Sequence, residues 1–155
     1  MCEAGPFGPG SLQRFIEHNT EMHFFTFKTE TRSQLGPVAL FDVLINNADR
    51  KGGHLLLDGN DKVWLIDHGL CFHEEDKLRT VIWDFAGQTI PEELLTALVN
   101  VRKALDNPPG LYADLVSHLS LIELTALQSR CNQLIADGIF PFPPQDRRAF
   151  PYPPI

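Results

Sequence analysis

The spacing of apolar residues is most regular between residues 37 and 47. Apolar side chains recur there at positions that share one face of a helix: Val38, Leu40, Phe41, Leu44 and Ile45. Pro37 suits the first turn of a helix, where its missing N–H is not needed. The pattern therefore predicts a helix that ends near Asn47 and places Asp49 on the loop that follows.

Two short apolar runs come next, at residues 54–57 and 62–66, and a polar sequence at 58–61 separates them. That polar sequence, Asp-Gly-Asn-Asp, favours a tight turn, so the two runs are predicted to pair as a β-hairpin. Asp67 follows the second run directly. Gly69 is expected to permit an unusual backbone angle just after Asp67.

The rest of the pattern predicts helices joined by irregular segments. Residues 1–10 are rich in Gly and Pro and predict turns, and residues 70–90 show no regular period. Further helices are predicted at residues 12–18, from Pro91 to about residue 106, at 112–119, and from the capping pair Ser120 and Glu123 to Gly138. Only one small sheet is predicted, so the fold class is α+β and mostly α.

Composition narrows the class of protein. The chain has 155 residues, about one domain, and a net charge of −7, which argues against a general nucleic-acid binder. No apolar stretch approaches the roughly 20 residues of a membrane span, and the first residues do not resemble a signal peptide. Three scattered cysteines favour reduced thiols. We therefore expect a cytoplasmic protein without a transmembrane segment.

Residues 139–155 differ from the rest in composition, because six prolines alternate there with aromatic residues. We interpret this stretch as a C-terminal tail and residues 1–138 as the domain. The composition fits two structures for the tail: it packs across the domain, or it forms an extended arm.

Asp49 and Asp67 stand eighteen positions apart, at the two ends of the predicted hairpin. Phosphoryl transfer from ATP needs one carboxylate at the attacking hydroxyl and a second that holds Mg²⁺ on the phosphates. Asp49 fits the first role and Asp67 the second. The remaining metal position, five residues after the first aspartate, is usually Asn and is His54 here.

The sequence is compatible with three interpretations of His54. Imidazole can ligate a divalent metal, but Mg²⁺ prefers oxygen, so a ligand role would favour Mn²⁺. His54 could instead donate a hydrogen bond to a phosphate oxygen. In the third interpretation, His54 lies at the start of a strand and its side chain hydrogen-bonds only to the backbone.

Two motifs together resemble the catalytic and metal-binding loops of phosphatidylinositol 3-/4-kinase-like enzymes: Asn47-Ala48-Asp49-Arg50 with His54, and Ile66-Asp67-His68-Gly69. The sequence of the first motif is most similar to an uncharacterised bacterial branch of that family. The resemblance implies the C-terminal lobe of the protein-kinase-like fold, an ATP-dependent phosphotransferase with ATP and Mg²⁺ as cofactors, and a hydroxyl-bearing acceptor.

The resemblance also assigns residues to roles. Asp49 and Arg50 become the catalytic residues, and His54 and Asp67 the cofactor-binding and metal residues. Arg50 would pair with a phosphate or with Asp67, or else face solvent. His68 is expected to orient the loop of Asp67 rather than bind metal.

A complete kinase also has a first lobe with a glycine-rich cover and a strand lysine. Lys28 is the only lysine before Asp49 and lacks that strand context. We therefore expect a C-terminal lobe whose N-terminal lobe is missing or supplied by a partner chain, which makes activity of the chain alone doubtful. Two alternatives are a non-catalytic pseudokinase or binding lobe, and a metal-dependent hydrolase.

The acceptor class stays open at this level. Lys77 and Arg79 could contact an anionic lipid headgroup, but the acidic residues at 74–76 stand beside them and weaken that interpretation. A lipid, a protein or a small molecule is each compatible with the motifs.

Overall fold

The computed structural model describes residues 2–10, 13–107 and 109–155. Within these ranges helices dominate, and the sheets are two separate two-stranded antiparallel hairpins. The strands are β1 (Cys2–Gly5), β2 (Gly8–Gly10), β3 (Leu55–Leu57) and β4 (Val63–Leu65). The helices are α1 (Thr29–Ser33), α2 (Gly36–Ile45), α3 (Glu92–Ala104), α4 (Leu111–Val116) and α5 (Leu121–Asp137). The predicted α+β class is confirmed.

The helix that precedes the candidate site is α2, at the position that the apolar spacing predicts. It ends where Asn46 takes a left-handed conformation with φ 56°, while the N–H of Asn47 donates to the carbonyl of Asp42 at 2.9 Å. A left-handed residue at this point is a usual way to end a helix. The chain therefore leaves α2 abruptly, into the loop that carries Asp49.

The predicted hairpin is β3–β4, and its register pairs Leu56 with Trp64. The turn is held by Asp58, whose Oδ1 accepts hydrogen bonds from the N–H groups of Asn60 and Lys62 at 2.8 and 3.1 Å. Its Oδ2 accepts one from Trp64 Nε1 at 2.8 Å. These three bonds fix the hairpin and therefore the separation of the loops at its two ends.

Two predictions of secondary structure are wrong. The prediction of a single sheet missed the hairpin β1–β2, where we expected only turns. The predicted helix at 12–18 begins at a residue outside those described, and residues 13–17 form neither helix nor strand. Phe15 is 83% exposed there, so an isolated helix of this length would bury almost no apolar surface.

The hydrophobic core lies between α2, β3, α3 and α5. Leu55 of β3 and Cys131 of α5 have no exposed surface, and Leu98 of α3 is 3% exposed. Ser120 caps α5 through the capping box with Glu123, and Gly138 ends it with φ 63°, both as the sequence predicts. No helix within the described ranges is both long and apolar enough to cross a membrane.

The proline-rich tail packs on the rest of the molecule. Phe140 is 3% exposed and its backbone exchanges hydrogen bonds with Gln88 and Gly87, both at 2.9 Å. Further along the tail, the carbonyl of Pro154 accepts a hydrogen bond from Gly52 N–H at 2.8 Å. In the described structure the tail is therefore not an extended arm, and its end reaches the loop between Asp49 and β3.

Candidate active site

The loop of Asp49 is held in place by backbone hydrogen bonds on both sides. Ala48 N–H donates to the carbonyl of Leu70 at 2.8 Å, and Arg50 N–H donates to the carbonyl of Arg79 at 3.0 Å. Arg79 N–H in turn donates to the carbonyl of Asn47 at 2.9 Å. The irregular segment after β4 thus serves as the backbone partner of the loop that carries Asp49.

A buried ion pair lies beneath this loop. Arg50 and Asp42 both have fully buried side chains, and Arg50 donates to both carboxylate oxygens through Nε and Nη2 at 3.0–3.1 Å. Asn47 and Thr80 donate their side-chain hydrogen bonds to the same carboxylate at 3.0 and 3.3 Å. Asp42 lies on α2 and therefore has partners on the Asp49 loop and on the segment near residue 80, and these satisfy its buried charge.

Arg50 also reaches the loop of Asp67. Its Nη1 donates to the carbonyl of Ile66 at 2.9 Å, and its Nη2 lies 2.9 Å from Nε2 of His68. Ile66 and His68 flank Asp67 in the chain. One arginine side chain thus connects the two loops that the sequence assigns to the site.

This placement corrects the expectation for Arg50. We expected it to pair with a phosphate or Asp67, or to face solvent, but it is fully buried and its carboxylate partner is Asp42. Four of its five N–H groups already have partners. Arg50 positions the loops in this arrangement, and no side-chain surface is left for direct contact with a substrate.

Asp49 itself presents its carboxylate at the surface of the site. Its side chain is 27% exposed, and Oδ2 lies 3.4 Å from Nζ of Lys51. Its backbone N–H donates to Oδ1 of Asn47 at 3.0 Å, which fixes the turn. A partly exposed carboxylate has free lone pairs for an incoming hydroxyl. Lys51 follows the motif directly and was missed, although a cation two positions after Asp49 is visible in the sequence.

Asp67 occupies a strained backbone position. Its φ is 56°, in the left-handed region, which is uncommon for a residue other than glycine and is found often at functional sites. Gly69 does not have a positive φ, so the unusual angle that we expected there belongs to Asp67 itself. The Asp67 side chain is 59% exposed and its Oδ2 faces Nε2 of His54 at 3.4 Å.

The hydrogen bonds of His54 bear on its chemistry. The N–H of Lys51 donates to Nδ1 at 3.5 Å, which leaves the proton on Nε2, the atom that faces Asp67. Burial lowers the pKa of His54, while the charge of Asp67 opposes that shift, so the ring is neutral at pH 7. An Nε2–H can donate to a carboxylate or phosphate oxygen, whereas coordination of a metal through Nε2 would require the other tautomer.

His68 contacts both Arg50 and, on α2, Phe41. Burial is the largest cause that lowers its pKa, and the charge of Arg50 acts in the same direction. The neutral ring accepts the hydrogen bond from Arg50 and meets Phe41 edge to face, with centroids 5.6 Å apart. Phe41 was predicted on the apolar face of the helix but is 40% exposed, and it packs on this ring.

The sequence interpretation missed Asp42 altogether. A charged residue in the middle of an apolar helix was the available signal, since such a residue is seldom buried without a partner. Asn46 ends α2, and its side chain also donates to the carbonyls of His73 and Glu75 at 2.8 and 2.7 Å and accepts from Lys77 N–H at 3.0 Å.

The donor set at the site limits which metal it could hold. Among the described residues no group of three or more His, Cys, Asp or Glu side chains could bind a metal ion together. Asp67 offers carboxylate oxygens, whereas His54 carries its proton on the nitrogen that faces Asp67. The carboxylate of Asp67 would suit Mg²⁺ that takes its other ligands from phosphate oxygens and water, as Mg²⁺ commonly does.

Comparison with known proteins places these loops in a family. Residues 1–125 match the family model for phosphatidylinositol 3- and 4-kinase. Protein Rv2133c of Mycobacterium tuberculosis is 42% identical over 120 residues, which are 77% of this chain and 42% of that protein. Phosphatidylinositol 4-kinase gamma 4 of Oryza sativa subsp. japonica is 33% identical over 78 residues, 48% of this chain and 14% of that protein. The chain spans less than half the length of each relative, and no solved structure matches it.

Proposed function

The chain belongs to the phosphatidylinositol 3- and 4-kinase family, and from that membership we propose that it is the catalytic lobe of an ATP-dependent kinase. The proposed reaction transfers the γ-phosphoryl group to a hydroxyl on a lipid, a protein or a small molecule. Asp49 is the group that meets the hydroxyl, and Asp67 is the principal ligand of Mg²⁺. The remainder of a two-lobed kinase would come from further sequence or from a partner chain.

The observation that supports this proposal best is the connection between the two loops. Arg50 lies next to Asp49 in the chain and holds the carbonyl of Ile66, next to Asp67, at 2.9 Å. Both carboxylates act electrostatically on His54, which lies between the loops. Phosphoryl transfer depends mainly on positioning and on charge stabilisation, so a rigid connection between the two carboxylates suits that chemistry.

The residues have separate tasks in the proposed reaction. Asp49 accepts the hydrogen bond of the acceptor hydroxyl and orients its oxygen toward the phosphorus. Mg²⁺ would neutralise charge on the phosphate oxygens, and Asp67 would hold it there. His54 donates its Nε2–H to Asp67 or to a phosphate oxygen, a role that its hydrogen bonds favour over metal coordination.

Two substitutions in the full chain test this assignment. We expect Asp67→Asn to weaken Mg²⁺-dependent ATP binding about tenfold or more, because the charged ligand is lost. Asp49→Ala should leave that binding intact and lower phosphoryl transfer by roughly 10²–10⁴-fold. Isothermal titration with Mg–ATP measures binding, and release of ADP measures transfer.

Asp61→Asn is the matched control for Asp67→Asn. Asp61 also has a positive φ, 59°, and lies in the hairpin turn. The control therefore makes the same Asp-to-Asn substitution at a residue with a similar φ. Equal losses in the two variants would contradict the role of Asp67. Binding of Mg–ATP by the wild-type chain without transfer would indicate a binding lobe, and absence of binding would overturn the proposal for this chain.

A further inference from the structure

A concave surface with strong positive charge lies where the segment after β4 meets the C-terminal tail. Its volume is about 320 Å³, and its lining, which we call the basic pocket, consists of Asp76, Lys77, Arg79, Arg147 and Arg148. Four cations thus meet one carboxylate in a chain whose net charge is −7. The basic pocket includes none of the residues assigned to phosphoryl transfer.

Two acidic residues beside the basic pocket are already paired with its cations. Glu75 lies 2.6 Å from Nζ of Lys77, and Asp76 lies 2.5 Å from Nη2 of Arg147. Lys77 lowers the pKa of Glu75, so this carboxylate is charged and its charge is matched. Of the run of acids that argued against an anion site in the sequence, Glu75 and Asp76 are therefore compensated in the structure, and Glu74 lies 3.5 Å from Nδ1 of His73.

Arg79 and Arg148 contribute positive charge without a carboxylate partner. Within the described residues, neither side chain makes an ion pair or a hydrogen bond to protein. The guanidinium of Arg148 lies over the ring of Tyr152, at 5.6 Å from the centroid. Both guanidinium groups therefore keep their N–H donors available for a ligand.

The backbone beneath these two arginines is fixed. Ala149 is 9% exposed, and its carbonyl accepts hydrogen bonds from Thr80 N–H at 3.1 Å and from Trp83 Nε1 at 3.2 Å. Thr80 and Ala149 directly follow Arg79 and Arg148, so the backbone next to each of the two arginines is hydrogen-bonded. Arg147 is held in addition through its Nη1, which donates to the carbonyl of Leu78 at 2.7 Å.

We propose that the basic pocket binds a phosphate monoester group. Arginine presents a planar set of N–H donors that matches phosphate oxygens two at a time, and a dianion satisfies two uncompensated guanidinium groups. A volume near 300 Å³ suits a small ligand group rather than a whole nucleotide. This binding does not depend on the proposed phosphoryl transfer and is distinct from the binding of ATP.

Titration calorimetry with glycerol 3-phosphate tests the proposal on the full chain. We expect saturable binding that weakens about tenfold or more in the double variant Arg79→Gln/Arg148→Gln, because two charge-assisted sets of hydrogen bonds are lost. Arg14→Gln/Lys103→Gln is the matched control, since it removes the same charge from two exposed positions outside the basic pocket. The control should stay within about twofold of the wild type.

Further measurements separate the outcomes. Thermal melting of each variant checks that it is folded. If the glutamine variant unfolds, the variant Arg79→Lys/Arg148→Lys, which keeps the charge, takes its place. Asp67→Asn should bind glycerol 3-phosphate as the wild type does, and Mg–ATP should not compete. Competition by Mg–ATP, or loss of binding in Asp67→Asn, would place the phosphate in the nucleotide site and overturn the proposal.

Vesicles distinguish the source of the phosphate group. If the natural ligand is a phosphate monoester on a lipid, vesicles with phosphatidic acid should bind the wild type and not the double glutamine variant. If the natural ligand is soluble, the wild type should bind glycerol 3-phosphate and not the vesicles. Binding of either probe that depends on Arg79 and Arg148 supports the proposal. Equal binding by the double variant and its control, or no binding of either probe, overturns it.

Discussion

At the scale of single residues, the buried carboxylate of Asp42 is the shared partner of three side chains, although neither motif names it. It receives hydrogen bonds from Arg50, Asn47 and Thr80, and it lies with Arg50 in a region without exposed surface. A buried ion pair contributes little when intact, but removal of one partner leaves an uncompensated charge. Asp42 therefore holds the site together without any contact to a substrate.

We expect Asp42→Asn to lower the free energy of unfolding by about 3–5 kcal/mol, because the buried guanidinium of Arg50 loses its counter-charge. Urea denaturation measures the change. Asp106→Asn is the control, since Asp106 pairs with Arg102 on the surface and is 51% exposed, and its loss should cost at most about 1 kcal/mol. Similar costs for both variants would show that the buried pair does not stabilise the loops.

At the scale of elements, the β3–β4 hairpin separates the two loops, and Asp58 is its main local determinant. The hydrogen bond from Trp64 is the largest cause that lowers the pKa of Asp58, and the backbone N–H groups of Asn60 and Lys62 add to it. The folded state therefore favours the charged form more than the unfolded chain does. The stabilisation is complete above the unfolded pKa and disappears as the pH falls through the lower folded value.

This pH dependence predicts the behaviour of Asp58→Asn. At pH 7 the variant should melt below the wild type, because it loses the negative charge that accepts three hydrogen bonds. The difference in melting temperature should shrink as the pH falls below about 4, since the wild-type carboxyl then takes up a proton. Calorimetric melting of both proteins from pH 7 to pH 3 measures this, and a difference independent of pH would contradict the role of the charge.

At the scale of the whole molecule, the tail is joined to the part that carries the site. Phe140 packs against Phe85 with ring centroids 5.5 Å apart, and Ala149 and Pro154 accept backbone hydrogen bonds from Thr80 and Gly52. Both of these donors lie in segments that border the Asp49 loop. Loss of tail packing should therefore reach the site as well as the core.

Two phenylalanines of the tail offer a matched test of this packing. Phe140→Ala should lower the free energy of unfolding by about 3–5 kcal/mol, because a buried ring leaves a cavity. Phe142 is 68% exposed, so Phe142→Ala should change it by no more than about 0.5 kcal/mol. Urea denaturation compares the two, and equal effects would mean that the tail is not part of the folded core.

The sequence by itself determined the features that depend on neighbours along the chain. Helix α2, the β3–β4 hairpin and the capped helix α5 follow from apolar spacing and from turn and cap chemistry within a few residues. The family followed from two short motifs, and the match over residues 1–125 confirms it. The roles of Asp49, His54 and Asp67 stay predictions, supported by the place of these residues at the two ends of the hairpin.

Only the tertiary structure decided what depends on residues distant in the chain. Arg50 could not be distinguished from a phosphate-binding or exposed residue until Asp42, Ile66 and His68 were brought around it. Arg79 and Arg148 are far apart in the sequence and meet through one backbone hydrogen bond between their neighbours, from Thr80 to Ala149. Burial and charge compensation are properties of the packed chain, because they arise from groups that the order of residues alone does not bring together.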